Sequence, residues 1–177
     1  AGPEADCGST ERFCGITGTG YISLASLFLK TGGMTRQGFF TLENSPLLRR
    51  VLSENRFESG TPEEGTRFNL GQGLYISARD VEELLKVKAA ASLGLSRRLD
   101  FAGIASADLC AVYLSGALGS HVDKEDLENL GFFPPGLARK ILVSGNTSLQ
   151  GAALLLSDSE AREKLARWSK GVSSLDL

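Results

Sequence analysis

The chain has 177 residues, 42% of them hydrophobic and 23% charged, with a net charge of −2. That is enough chain for one ordinary domain with an apolar core, and the lack of a basic excess or basic stripe speaks against nucleic acid as a partner. Apolar runs such as residues 152–156 are too short to span a bilayer, no basic stretch followed by an apolar core appears in residues 1–12, and a cytoplasmic location away from membranes is expected.

Residues 1–14 are small and polar and read as the cut or flexible end of something larger, with the folded domain expected over 15–177. Three cysteines, Cys7, Cys14 and Cys110, form no CxxC pair. Such a set fits free thiols in a reducing compartment better than a disulfide framework or a zinc knuckle. Four-cysteine ligation of an iron–sulfur cluster is beyond this chain. Gly15-Ile16-Thr17-Gly18-Thr19-Gly20 opens an apolar run whose Ile22, Leu24, Ala25, Leu27, Phe28 and Leu29 predict a mostly buried helix over 21–29, stopped at Thr31-Gly32-Gly33. Short strands are expected at 39–42 and 67–70, with loop over 58–64 and a short helix over 47–54 between them. Leu74-Tyr75-Ile76 is extended. Ser77 is a helix N-cap with Asp80 as the acidic partner of a capping box. The helix it starts carries Val81, Leu84, Leu85 and Ala89 on one face and is expected to stop at Gly94.

Beyond it, residues 109–114 form an apolar strand that runs into Ser115-Gly116-Ala117-Leu118-Gly119. Asp123 caps a short helix ending at Gly131. Residues 140–143 form a second buried strand, followed by Ser144-Gly145-Asn146, a helix over 147–156 and another over 159–170 capped by Asp158. Strands alternating with helices predict an α/β layer with glycine turns at the strand C-terminal ends.

Those turns are where chemistry would sit. Glycine after a buried strand lets a ligand approach the main chain without a Cβ in the way, and ligands of open α/β sheets gather at such ends. The same residues also serve a turn that merely reverses the chain. Ser144-Gly145-Asn146 leads into a helix whose first N–H groups could face an anion, or whose small residues simply allow close packing. Gly15-Ile16-Thr17-Gly18-Thr19-Gly20 has the same two readings. No Lys-Ser/Thr follows any of these turns, which excludes a Walker A loop. Lys86 and Lys88 read as a solvated helix face, and the single His121 as a loop histidine. No Ser-His-Asp set, paired carboxylates or metal-ligand cluster is visible, so no catalytic or metal-binding residue is named.

Taken in order, these motifs resemble a known family. Ile76-Ser77, Asp80-Val81, Val87-Lys88, Ala89-Ala90 and Gly94 resemble "I-T-x-x-D-I-x-x-x-x-x-A-K-x-A-I-x-x-G". Val112-Tyr113-Leu114-Ser115-Gly116-Ala117-Leu118-Gly119 is similar to "V-x-L-A-G-A-F-G", the stretch from Asp123 on to Pro134 to "d-x-x-x-A-x-x-I-G-L-L-P", Ser144-Gly145-Asn146 through Gly151-Ala152 to "V-G-N-A-A-x-x-G-A", and Gly15 on to Ser23 to "G-I-C-G-S-G-I-I-D". The family is that of the reductive activators of corrinoid iron–sulfur proteins and corrinoid methyltransferases. Their C-terminal part has the actin/Hsp70/sugar-kinase (ribonuclease H-like) ATPase fold.

The resemblance implies a C-terminal α/β subdomain of that fold, a fragment of a longer protein that uses ATP to help reduce a corrinoid cobalt from Co(II) to Co(I). It places Gly116, Ala117, Leu118 and Gly119 against the adenosine and α-phosphate, with Gly145 and Asn146 nearby, and gives Lys88 an adenosine contact. Its partners would be a corrinoid protein or corrinoid methyltransferase and the remainder of its own polypeptide. Some positions depart: Thr17, Thr19 and Ser23 replace Cys, Ser and Asp, and Leu118 replaces Phe. The D-x-G-T loops that hold Mg²⁺ and the outer phosphates, and the ferredoxin-like cysteines, are not in this chain. ATP and magnesium are therefore expected of the full-length protein, with hydrolysis beyond this piece alone. The competing expectations are a non-catalytic interaction module of the same fold and a subdomain of another kinase or ATPase.

Overall fold

The computed structural model describes residues 14–41, 45–51, 56–172 and 174. Helix α1 (Gly18–Thr31) is longer than its apolar run because it is closed at both ends. Thr17 accepts the Gly20 N–H on its hydroxyl, and Gly32 closes the last turn in the left-handed region. A short helix α2 (Pro46–Val51) follows, starting one residue before the span expected, and residues 52–54 of that expectation lie outside the described residues.

Three antiparallel strands come next, β1 (Phe57–Ser59), β2 (Thr66–Gly71) and β3 (Leu74–Ser77), in the order β1-β2-β3. The expected strand at 67–70 is the body of β2. The loop expected from residue 58 begins later, because Glu58 and Ser59 pair with Arg67 and Thr66. The strand expected at 39–42 is absent as such. Met34 and Phe40 share one isolated bridge, and Leu42 lies outside the described residues. Gly38, at φ 89°, bends that segment against Val81 and Leu85, so the chain curls instead of extending.

Helix α3 (Ala78–Ala102) opens on the full capping box. The Ser77 and Asp80 N–H groups donate to each other's side chains at 2.8 and 3.2 Å. It does not stop at Gly94 but runs on to Gly103, which closes it in the left-handed region. A glycine inside a helix costs about 1 kcal/mol. Leu95 and Leu99, both half-buried, offset that by continuing the apolar stripe.

After a 3₁₀ turn at Ser106–Asp108, strand β4 (Val112–Leu114) pairs in parallel with β5 (Ile141–Val143), Val112 against Ile141 and Leu114 against Val143. The strand expected from residue 109 is thus shorter, since a ladder extends only as far as its partner. Helix α4 (Lys124–Leu130), capped by Asp123, lies between them in the chain, and α5 (Thr147–Ser157) and α6 (Ser159–Ser169) follow. Asp158 caps α6 as expected, accepting from Glu160 and Ala161.

The core sits around α1. Ile22, Ala25 and Phe28 pack against Met34, Phe68 and Ile76, against Val81 of α3, and against Val122, Leu127, Leu130 and Phe132 around α4. Phe28 meets Phe68 edge-on at 4.9 Å and Phe40 at 5.5 Å, which ties α1 to the antiparallel sheet. The parallel pair is different. Ile141 is buried, yet Tyr113 is 71% and Leu142 50% exposed, and no residue of α5 or α6 is buried. Leu156 and Trp168 on those helices also stand in solvent.

Candidate functional site

Strands β4 and β5 both run straight into glycine turns, and the turns are bonded to each other. Ser144 donates its N–H to the Leu114 carbonyl at 2.9 Å, and Gly116 to the Gly145 carbonyl at 2.8 Å. The ladder of the parallel pair thereby continues past the strands. Both glycines hold left-handed backbone, φ 94° at Gly116 and 68° at Gly145, a conformation that strains residues with a side chain. Around Gly116 no heavy atom lies within 4 Å of where a Cβ would point, so that side of its Cα faces open space. Gly119 is glycine for another reason: a Cβ there would come within 2.9 Å of Leu114 Cγ and of the Ser115 carbonyl oxygen. Ala117 and Leu118, between them, are exposed.

The third glycine segment arrives at the same place. Leu118 Cδ1 lies 3.4 Å from where a Cβ on Gly18 would sit, at the start of α1. Residues 15–20, 115–119 and 144–146 therefore form one face. The Asn146 side-chain oxygen is committed to the Leu149 N–H at 3.1 Å, capping α5. His121 is exposed just beyond the second turn.

Lys88 lies on α3, half-buried, with Cε and Nζ passing 3.2 and 3.4 Å from where a Cβ on Gly131 would sit. It thus crosses the C-terminal end of α4, where unpaired carbonyls favour a cation. Gly131 also lines an open groove of about 1300 Å³ between the second half of α3 and α4. Leu99 and Phe133 give this groove apolar surface, and Ser96, Asp100 and Glu128 give it polar groups. The glycine turns flank the groove, through Val143 and Val122, and are not part of its wall.

Around α4 the polar groups are paired one by one. Lys30 of α1 binds Asp126 at 2.9 Å, and Asn129 donates its side-chain N–H to the Ser26 hydroxyl at 2.8 Å and to the Ser26 carbonyl at 3.2 Å. Burial pushes the Asp126 carboxyl up, but hydrogen bonds with Ser26, Lys30 and Ser23 outweigh it and hold the group below the usual aspartate range. The Glu128 carboxylate accepts the Ala138 N–H at 2.7 Å, and the Gly136 and Leu137 N–H groups help keep it below the usual glutamate range. Lys124 donates to the Ile141 carbonyl at 3.2 Å, at the first residue of β5. Neither Glu128 nor Asn129 stood out in the sequence. Pro134-Pro135-Gly136 marks a turn, yet nothing in it says which carboxylate fills that turn.

Over residues 3–177 the chain matches the family described as the C-terminal domain of RACo, the ASKHA domain. It is 34% identical over 160 residues to the [Co(II) methylated amine-specific corrinoid protein] reductase of Methanosarcina barkeri, covering 90% of this chain and 25% of that protein. It is 27% identical over 156 residues to the corrinoid activation enzyme RamQ of Eubacterium limosum, covering 83% of this chain and 26% of that one. The chain therefore spans about a quarter of the length of these relatives. Among solved structures it is similar in fold to a reductive activator for corrinoid, iron–sulfur protein, with a TM-score of 0.76 at 24% identity over 91% of this chain and 25% of the other.

Proposed function

The chain belongs to the family of RACo C-terminal ASKHA domains, and from that premise we propose that it supplies the adenosine side of the nucleotide cleft in an ATP-dependent activator, one that returns a corrinoid cobalt from Co(II) to Co(I). One observation carries this reading: the Gly116–Gly145 hydrogen bond at 2.8 Å, which joins two strand-end turns, with open space beside Gly116. A flat ligand face can approach that peptide where any side chain would stand in the way. The residues fit an adenosine and α-phosphate: Gly116, Ala117, Leu118 and Gly119 on one side, Gly145 and Asn146 on the next turn, and the start of α1 on the third. Lys88 then acts from α3, beside Gly131. The nucleotide supplies the driving force for an unfavourable reduction.

Magnesium and the outer phosphates belong elsewhere in this reading. Among the described residues no group of three or more His, Cys, Asp or Glu could hold a metal ion, and the D-x-G-T loops are not in this sequence. We assign them to the remainder of the polypeptide, which would also cover Tyr113 and Leu142. A parallel pair of strands is ordinarily buried on both faces, and here Tyr113, Leu142 and Val143 are exposed. The partner proposed for the whole protein is a corrinoid protein or corrinoid methyltransferase, in the cytoplasm. Among the described residues no helix is long and apolar enough to cross a membrane.

The test mixes the full-length protein with its corrinoid protein and a low-potential reductant, and follows the cobalt by visible absorption. Co(I) should accumulate with Mg-ATP and not without it. Equal Co(I) in both arms would remove the ATP-dependent reading.

A further inference from the structure

We infer that α4 is a positioning bracket for the glycine face, with Glu128 and Asn129 as its positioning residues. The helix follows directly on the turn at residues 115–119, so the chain itself fixes one end. Asn129 fixes it to α1 through two hydrogen bonds to Ser26, a residue with no exposed surface. Glu128 fixes it to the opposite side, where its carboxylate accepts the Ala138 N–H at 2.7 Å. Ala138–Lys140 is the 3₁₀ turn that feeds β5, and β5 ends at the Gly145 turn. Lys124, one helical turn earlier, holds the carbonyl of Ile141 at the start of the same strand.

The polar arms thus reach two segments joined to the glycine turns. Asn129 holds α1, which begins at the first turn, and Glu128 and Lys124 hold the stretch that leads through β5 to the Gly145 turn. Helix α4 thereby adds a second tie between turns that already share the Gly116–Gly145 hydrogen bond. A hydrogen bond to a charged or fully buried group contributes more than an exposed one and is costly to leave half-made. Glu128 and Asn129 line the groove beside α4 and not the glycine turns. Their effect on a ligand passes through the backbone of Gly116 and Gly145.

The test uses the full-length protein that contains this chain. Backbone-amide hydrogen exchange is followed at Gly116 without nucleotide, and Mg-ATP affinity is measured by calorimetry. The variants are Glu128→Gln, Asn129→Ala and, as a control, Leu130→Val, which trims the core side of the same helix and touches no polar arm. Glu128→Gln and Asn129→Ala should each speed exchange at Gly116 about tenfold, the scale of one such hydrogen bond. Each should also weaken Mg-ATP binding by a similar factor. Leu130→Val should lower Tm comparably and leave both readouts within about twofold, because its effect is one of bulk. Combining Ser26→Ala with Asn129→Ala should add little to either single change.

Unchanged exchange at Gly116 in both polar variants would overturn the bracket, and so would an effect that merely follows Tm through all three variants. The affinity arm rests on the nucleotide reading and the exchange arm does not. If the wild-type protein fails to bind Mg-ATP, that reading falls, and exchange at Gly116 alone decides on the bracket.

Discussion

At the scale of single residues, the candidate site is made mostly of main chain. Gly116 and Gly145 serve through backbone geometry, at φ 94° and 68°, and only Lys88 and Asn146 bring long or polar side chains to the set proposed. The titrating groups sit behind it. Glu128 has its pKa depressed in the folded state by backbone N–H groups, so it contributes stability that is present above its unfolded pKa and lost as the pH falls through the folded value. We expect Tm of the wild type to fall as the pH drops below the ordinary glutamate range, and Glu128→Gln to lose part of that slope. Identical pH dependence of Tm in the two proteins would contradict the assignment. The glycines were legible in the sequence because the strand-then-glycine order is local. Glu128 and Asn129 were not, since their partners lie ten residues along the chain in one case and 103 in the other.

At the scale of elements, α3 shows how far local signals reach. Its start was readable from Ser77 and Asp80, and the capping box is there. Ser77→Ala should cost about 1 kcal/mol of stability, the usual loss for such a cap, which chemical denaturation would measure. Its end was misplaced at Gly94, because a glycine signals a stop only when the apolar stripe ends with it. Here no atom lies within 4 Å of a Cβ built on Gly94, so Gly94→Ala should stabilise the protein by about 0.5–1 kcal/mol. A loss of stability would mean that this turn of α3 is strained or packed in a way the helix does not show. The parallel strands carry the opposite lesson. Their apolar runs were visible, but the length of β4 depends on β5, a partner that no local pattern encodes.

At the scale of the whole molecule, one end of the domain is finished and the other is open. The core around α1 is closed by four phenylalanines and by α4. The parallel pair, α5 and α6 expose Tyr113, Leu142, Leu156 and Trp168. Exposed apolar surface on this scale is expected where another part of a protein docks. That agrees with a chain spanning about a quarter of its relatives. The fold and family were legible because five weak motifs stand in one order across the chain; each alone was compatible with an ordinary turn. The central claim is that the turn at Gly116 receives a nucleotide. It is tested most directly by calorimetric titration of Mg-ATP into the full-length protein and its Gly116→Val variant. A side chain at that φ strains the turn by about 1–3 kcal/mol and fills the space a ligand would use. The account predicts saturable binding to the wild type, weakened about tenfold or more in the variant. Equal affinity in the two proteins would contradict it.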